Sequence, residues 1–202
     1  MYTGIEYFIP LISYLLGSIP FGYILVRATK GADIRKTGSG NIGATNVYRK
    51  SRGAGVVTLL LDAGKGYLAV MIARWMAGDG IWTGIAAFCA ITGHVFTFWL
   101  RFRGGKGVAT GCGAYLAISP LSVATALAVF VLTLVSTRYI SAASIAATAL
   151  FPLCAWYYGC PTAVVLWTVP GCIIIIARHH QNIRRIFNRT EARFSIGKTR
   201  KE

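Results

Sequence analysis

Acidic residues are almost missing from this chain, with six Asp and Glu in 202 residues against 21 Lys and Arg. They are spread thinly. No paired carboxylates, no HExxH and no Ser/His/Asp pattern in a nucleophile elbow occur, which leaves chemistry to positioning and positive charge rather than to strong protein bases. The five cysteines (Cys89, Cys112, Cys154, Cys160, Cys172) stand singly in apolar context without a CxxC pair. Their odd number argues against a disulfide framework or a zinc cage, and no metal constellation is expected. The N-terminus lacks a basic region and a small-residue cleavage site, so the first apolar run is expected to stay as a helix.

Apolar residues are plentiful. The chain is 55% hydrophobic and 13% charged, with 23 glycines, and its mean hydropathy is +0.58. Those values exclude an ordinary soluble domain and indicate an all-α, polytopic integral membrane protein. A net charge of +15 would suggest nucleic acid in a soluble protein. No nucleic-acid motif accompanies it, and positive residues in a membrane protein mark cytoplasmic loops and meet anionic lipid.

A spanning helix needs about 20 apolar residues, and the runs 5–26, 54–76, 81–100, 121–137, 140–158 and 161–177 qualify. Of the 21 Lys and Arg, 19 fall in segments that alternating spans place on one side. The glycine-rich loop 27–53 holds seven, the basic tail 178–202 holds eight, and the connections 77–80 and 159–160 hold none. The positive-inside rule then puts the N-terminus outside and the C-terminus in the cytoplasm. Arg101, Arg103, Lys106 and Arg138 also belong inside, so the chain must enter and return within about 30 residues, turning near Ser119-Pro120. The expectation is seven transmembrane helices in a single membrane-embedded unit spanning 1–202, the fourth (Val108–Ile118) short or re-entrant.

Three stretches on the cytoplasmic side can bind an anion. In Gly104-Gly105-Lys106-Gly107, glycine backbone N–H groups pointing into a concavity, the positive end of the next helix and the Lys106 ammonium suit a phosphate. A loop that only orients the protein is the competing reading. Gly38-Ser39-Gly40-Asn41-Ile42-Gly43 has the form GxGxxG, but a membrane helix precedes it, so it is no dinucleotide fingerprint. Its flexible backbone, the donors Ser39, Asn41, Thr45 and Asn46, and nearby Arg49 fit a ligand-clamping loop. Arg138 with Ser141 and Ser144 opens a helix from the inside, where an anion or a simple cap would fit. His94 lies two turns before Arg101 at membrane depth and is either a hydrogen-bonded structural histidine or a functional one. Asp62 and Lys65, at i, i+3, read as an intramembrane pair. His179, His180 and Asn182 follow the last span. A basic juxtamembrane tail explains the arginines there but not Asn182.

Read in order, GlySerIleProPheGly (17–22), GlySerGlyAsnIleGlyAlaThrAsnValTyrArg (38–49), LeuAspAlaGlyLysGly (61–66), GlyHisValPheThrPheTrpLeuArgPheArgGlyGlyLysGlyValAlaThr (93–110), ArgTyrIleSerAlaAlaSer (138–144) and HisGlnAsnIleArgArg (180–185) closely resemble the bacterial acyl-phosphate:glycerol-3-phosphate acyltransferases, the PlsY family. The resemblance covers nearly the whole chain. It implies an inner-membrane enzyme with seven helices and a cytoplasmic-face site. Such an enzyme moves a fatty acyl group from acyl phosphate to the 1-hydroxyl of sn-glycerol 3-phosphate, the first acylation of phospholipid synthesis, with no metal or organic cofactor. The partners it implies are those two substrates and membrane lipid, with no nucleic acid; it sets no oligomeric state. Carried over residue by residue, the catalytic positions fall on Ser39, His94 and Asn182, and phosphate binding on Arg49 and the Gly104–Gly107 loop with Lys106. Gly40, Asn41, Thr45, Asn46, Thr110, Arg138 and Ser141 complete the expected substrate-binding set. Gln181 stands where the family also shows Glu, which removes one expected carboxylate beside Asn182.

Because acyl phosphate is already activated, the expected mechanism is direct attack by the glycerol 3-phosphate hydroxyl on the acyl carbonyl. Two cationic, glycine-rich pockets would hold one phosphate each. His94 or a substrate phosphate oxygen would take the proton. An acyl-enzyme on Ser39 is the competing pathway, and a transporter for a phosphorylated solute is the competing class.

Overall fold

Proline and glycine decide where this largely apolar chain breaks. The computed structural model describes residues 4–194, and among the described residues every regular element is helical. A 3-10 turn at Ile5–Phe8 leads into α1 (Ile9–Ser18) and α2 (Phe21–Lys30). Then come a 3-10 turn at Ile34–Lys36, α3 (Ala44–Lys50), α4 (Arg52–Ala77) and α5 (Ile81–Val95) with its 3-10 extension Phe98–Leu100. The remainder is α6 (Val108–Ile118), α7 (Pro120–Thr137), α8 (Ile140–Tyr157), α9 (Thr162–Ala177) and α10 (His180–Phe187). The basic residues at 198, 200 and 201 of the expected tail lie outside the described residues.

Five of these helical stretches are long and apolar enough to cross a membrane: Ile5–Lys30, Arg52–Ala77, Ile81–Leu100, Pro120–Thr137 and Ile140–Tyr157. Thr162–Ala177 with His180–Phe187 forms a sixth if the pair, bent by 50°, counts as one span. Large apolar side chains face outward on them, with Leu132 67% and Val135 74% exposed, as lipid-facing residues must be.

The first span departs from the continuous helix 5–26 expected from hydropathy. It runs on to Lys30 and breaks at Ile19, whose ψ of 117° is extended, because the residue before a proline avoids helical backbone. The break frees two carbonyls at membrane depth, and both are used. Lys65 Nζ donates to Ile19 O at 2.7 Å, and Thr97 Oγ1 donates to Ser18 O at 2.6 Å. Lys65 also pairs with Asp62 at 2.6 Å, the expected i, i+3 pair, with both side chains 2% exposed.

The short helix α6 packs along the middle of α4. A Cβ on Gly66 would lie 2.0 Å from Thr110 O, and one on Gly113 would lie 1.8 Å from Ala63 O. This reciprocal approach of small residues is how helices associate without a hydrophobic driving force. Ser119 ends α6 and caps α7, accepting from Ser122 N at 3.4 Å, so the chain turns at the expected Ser119-Pro120. At ~1.5 Å per residue α6 is roughly 16 Å long and α7 roughly 27 Å. The start of α6 at Val108 follows the Gly104–Gly107 loop, and Gly104 and Lys106 of that loop line a recess. Ile91, Tyr115, Phe151 and Ile175 fill the core beneath it, with Tyr115 and Phe151 stacked at 4.1 Å.

Candidate functional site: a recessed cationic cleft

The first wall of the recess is the loop before α3, and one side chain organises it. Asn46 is buried; its Nδ2 donates to Thr37 O at 3.0 Å and Asn41 O at 2.9 Å, and its Oδ1 accepts Ser39 N–H at 3.0 Å. Asn41 Oδ1 in turn accepts Gly43 N–H at 2.7 Å. The sequence pattern makes both asparagines candidate ligand-binding donors. In this arrangement Asn46 is spent on the loop, and what the loop presents is the exposed Ser39 and Gly40 with the flank of Asn41.

The second wall is the Gly104–Gly107 loop. Its glycine amides were expected to point at a ligand, but Gly104 N–H donates to Val95 O at 3.0 Å and Gly105 N–H to His94 O at 3.1 Å. The glycines serve close packing instead. A Cβ on Gly105 would lie 2.0 Å from His94 Nε2, and one on Gly104 2.0 Å from His94 O. His94 is 4% exposed, with Nδ1 3.6 Å from Asp62 Oδ1. The histidine props the loop from below and is not on the cleft surface; the loop presents Lys106.

The third wall is α10. Lys106 Nζ donates to Asn182 Oδ1 at 2.5 Å, and Asn182 Nδ2 donates to Glu191 Oε1 at 2.6 Å. Ser141 Oγ donates to the same carboxylate oxygen at 2.7 Å, and Arg185 Nε to Oε2 at 2.7 Å. Gln at position 181 removes one possible carboxylate near Asn182. Glu191 supplies one from nine residues further on, where the chain turns back after α10. The available signal was its isolation, as the tail's acids are only Glu191 and Glu202 among eight cations.

Together these walls enclose a cleft of about 500 Å³. The two glycine-rich stretches, expected to form separate pockets, face each other across this one cleft. Arg35, Lys36, Arg103, Lys106, Arg178 and Arg185 line it against a single acid, Asp33. Asp33 is engaged by Arg35 at 2.7 Å, and that hydrogen bond pulls its carboxyl down to about 2. Burial, opposed by Glu191 and reinforced by Arg185, Arg49 and Arg178, lowers the Lys106 ammonium to about 8. It remains mostly charged at neutral pH. His179 is buried with Nδ1 2.8 Å from Ile175 O; burial and then the Lys106 charge lower it to about 4, so it is neutral.

Of the expected catalytic trio, then, Ser39 and Asn182 line the cleft and His94 lies under its floor. Gly40, Asn41, Gly104 and Lys106 line it too. Arg49 and Thr45 are exposed on α3 outside the lining, although the Arg49 charge reaches Lys106. Gly105 and Gly107 are buried beside His94 and against Ile175. Thr110 is buried on α6 with its hydroxyl lacking a hydrogen-bond partner among the described residues. Arg138 is exposed in the left-handed region at φ 60°, and its carbonyl accepts Phe194 N–H at 2.7 Å. Arg178, His180 and Arg185 line the cleft; His180 and Arg185 belong to the 180–185 motif of the resemblance but not to the expected site residues, and the Arg178 Nε has no partner among the described residues. No cluster of His, Cys, Asp or Glu suited to a metal occurs among the described residues.

The family model for Glycerol-3-phosphate acyltransferase matches residues 7–189. The Geotalea daltonii glycerol-3-phosphate acyltransferase is 48% identical over 180 residues, 89% of this chain and 92% of that protein. The protein of the same name from Geobacter sulfurreducens is 46% identical over 190 residues, 94% and 97% of the two chains. Among solved structures, the glycerol 3-phosphate form of PlsY (YgiH), an integral membrane glycerol 3-phosphate acyltransferase, superposes with a TM-score of 0.90 at 36% identity. That match covers 94% of this chain and 96% of the other. The lysophosphatidic acid form gives 0.87 at the same identity.

Proposed function

The chain belongs to the glycerol-3-phosphate acyltransferase family of integral membrane enzymes, and from that premise we propose how it works. It transfers a fatty acyl group from acyl phosphate to the 1-hydroxyl of sn-glycerol 3-phosphate, giving lysophosphatidic acid and phosphate. It sits in the bacterial inner membrane with seven crossings, α6 being the short fourth, its N-terminus outside and the cleft open to the cytoplasm. The positive-inside distribution supports that orientation.

The observation that carries the reading is the meeting of Lys106 and Asn182, 76 residues apart, at 2.5 Å on the wall of a cleft lined by six cations and one acid. Such a cleft concentrates phosphorylated substrates, and about 500 Å³ is within the usual size of a small-molecule site. The hydroxyl oxygen of glycerol 3-phosphate bonds to the acyl carbon as the bond from that carbon to the phosphate oxygen breaks. Lys106 and the cleft arginines neutralise the leaving phosphate. Asn182 aims Lys106, and the exposed Ser39 hydroxyl orients the reactants. With His94 closed off by Gly105, the proton passes to a substrate phosphate oxygen, and the histidine acts through the loop it supports. The acyl chain stays in lipid between the helices.

A transporter would need a path to the other face. At that end a separate cavity of about 370 Å³ is lined by Arg74, Asp79 and Thr83, where Arg74 donates to Asp79 at 2.6 Å and to Ala117 O at 2.9 Å. It shares no lining residue with the cationic cleft, and the stacked Tyr115 and Phe151 belong to the packed core. The deciding experiment supplies purified protein with labelled glycerol 3-phosphate and either palmitoyl phosphate or palmitoyl-CoA. Lysophosphatidic acid from the acyl phosphate alone, without added metal, is expected. Turnover of the thioester alone refutes the donor assignment.

A further inference from the structure

Resting on this acyl-transfer reading, we propose that Glu191 is a positioning residue: its carboxylate fixes the Asn182 amide and Arg185 from behind, so that Asn182 Oδ1 faces Lys106. The argument begins with what each group can do. A lysine ammonium only donates hydrogen bonds, an ionised carboxylate only accepts them, and an amide has one end of each kind. Asn182 stands between Lys106 and Glu191, at 2.5 Å and 2.6 Å. With a carboxylate on the far side, the amide has one sensible orientation, NH₂ toward Glu191 and oxygen toward Lys106. Without it, the NH₂ end could turn to the cleft and repel the ammonium.

Glu191 is built in on all sides. Oε1 also accepts from Ser141 Oγ at 2.7 Å, and Oε2 accepts from Arg185 Nε at 2.7 Å. The turn that delivers it is itself fixed. Arg189 takes φ 57°, Thr190 and Glu191 N–H donate to Arg185 O at 2.8 Å and 3.2 Å, and Phe194 N–H closes on Arg138 O at 2.7 Å. Glu191 therefore ties α8, α10 and the returning chain together behind the cleft wall, while its partners Asn182 and Arg185 form part of that wall. Burial raises the carboxyl pKa, but the hydrogen bonds from Arg185, Asn182 and Ser141 outweigh it and hold the group below its usual range. It stays ionised at neutral pH and keeps its acceptor-only character.

The test measures kcat and KM for glycerol 3-phosphate together with thermal stability. Glu191→Ala should lower kcat/KM by roughly 30-fold or more, the scale of losing a hydrogen bond to a charged group. Combining it with Asn182→Ala should cost clearly less than the product of the two single effects, because the part carried through Asn182 is shared and only the Arg185 contact is newly lost. A swap guards against a variant that fails to fold. Asn182→Asp alone sets two carboxylates face to face, and adding Glu191→Gln restores a donor–acceptor pair. The double variant should regain at least about 10-fold over Asn182→Asp. Activity of Glu191→Ala within about 3-fold of wild type, independent multiplying effects of the alanine variants, or no gain in the swap would each overturn the proposal. Ratios are taken with whichever donor the wild type turns over. Failure of the acyl-phosphate reading would show in the wild type itself, and failure of this one only in the ratios.

Discussion

Replacing Gly105 by alanine tests the relation between the cationic loop and the histidine beneath it. The added methyl would sit 2.0 Å from His94 Nε2, whereas carbon contacts settle at about 3.5–4.0 Å. Loop and ring must separate by about 1.5 Å. The ring cannot yield easily, being 4% exposed with Asp62 on its far side. The loop moves instead, and Lys106 is the next residue. Overpacking of this kind costs about 1–3 kcal/mol, or a few degrees in thermal midpoint for a chain of this size. Misplacement of a positioning group by about 1 Å costs about 100-fold in rate. The expected result is a folded protein, slightly less stable, with lysophosphatidic acid formation down about 100-fold. In a His94→Ala background the methyl has room, so the added cost in stability should nearly vanish. If Gly105→Ala keeps activity within about 3-fold and melts like wild type, the loop does not lean on His94 and the supporting role assigned to the histidine is wrong.

Other outcomes follow from the same geometry. Lys106 binds an anion only when protonated. With its pKa lowered to about 8, kcat/KM for glycerol 3-phosphate should hold below that pH and fall as pH rises through it, and Lys106→Ala should abolish that limb along with most activity. In the buried pair, Asp62→Asn or Lys65→Met alone should destabilise by about 3–5 kcal/mol by leaving one charge uncompensated. Combining them should recover much of that loss, as detergent-resistant melting would reveal. Asn46→Ala removes the donors to Thr37 and Asn41 and the acceptor for Ser39. It should raise the KM for glycerol 3-phosphate about 10-fold or more by loosening the loop, and an unchanged KM would show that the loop needs no such hub.

Sequence alone determined whatever rests on composition, local spacing or a short motif. Hydropathy set the helical membrane class, because lipid leaves the backbone no other way to satisfy itself here. The short apolar stretch between the basic residues at 101–106 and Arg138 called for a short α6, and the i, i+3 spacing of Asp62 and Lys65 announced their pair. Pro20 carried a readable break that the apolar run around it concealed. What only the tertiary structure decided involves partners distant in sequence and without period. The Gly104 and Gly105 amides looked like ligand donors until the 3-10 turn Phe98–Leu100 brought them back onto the carbonyls of Val95 and His94. His94, whose ionisable ring and depth suggested a site residue, lies under the loop rather than in the cleft. Lys106 and Asn182, 76 residues apart, meet once the chain bends by 50° after α9, and Glu191 joins them once it turns again at Arg189. A lone acid in a basic tail gains its meaning only when folding places acceptor-only and donor-only groups on opposite ends of one amide.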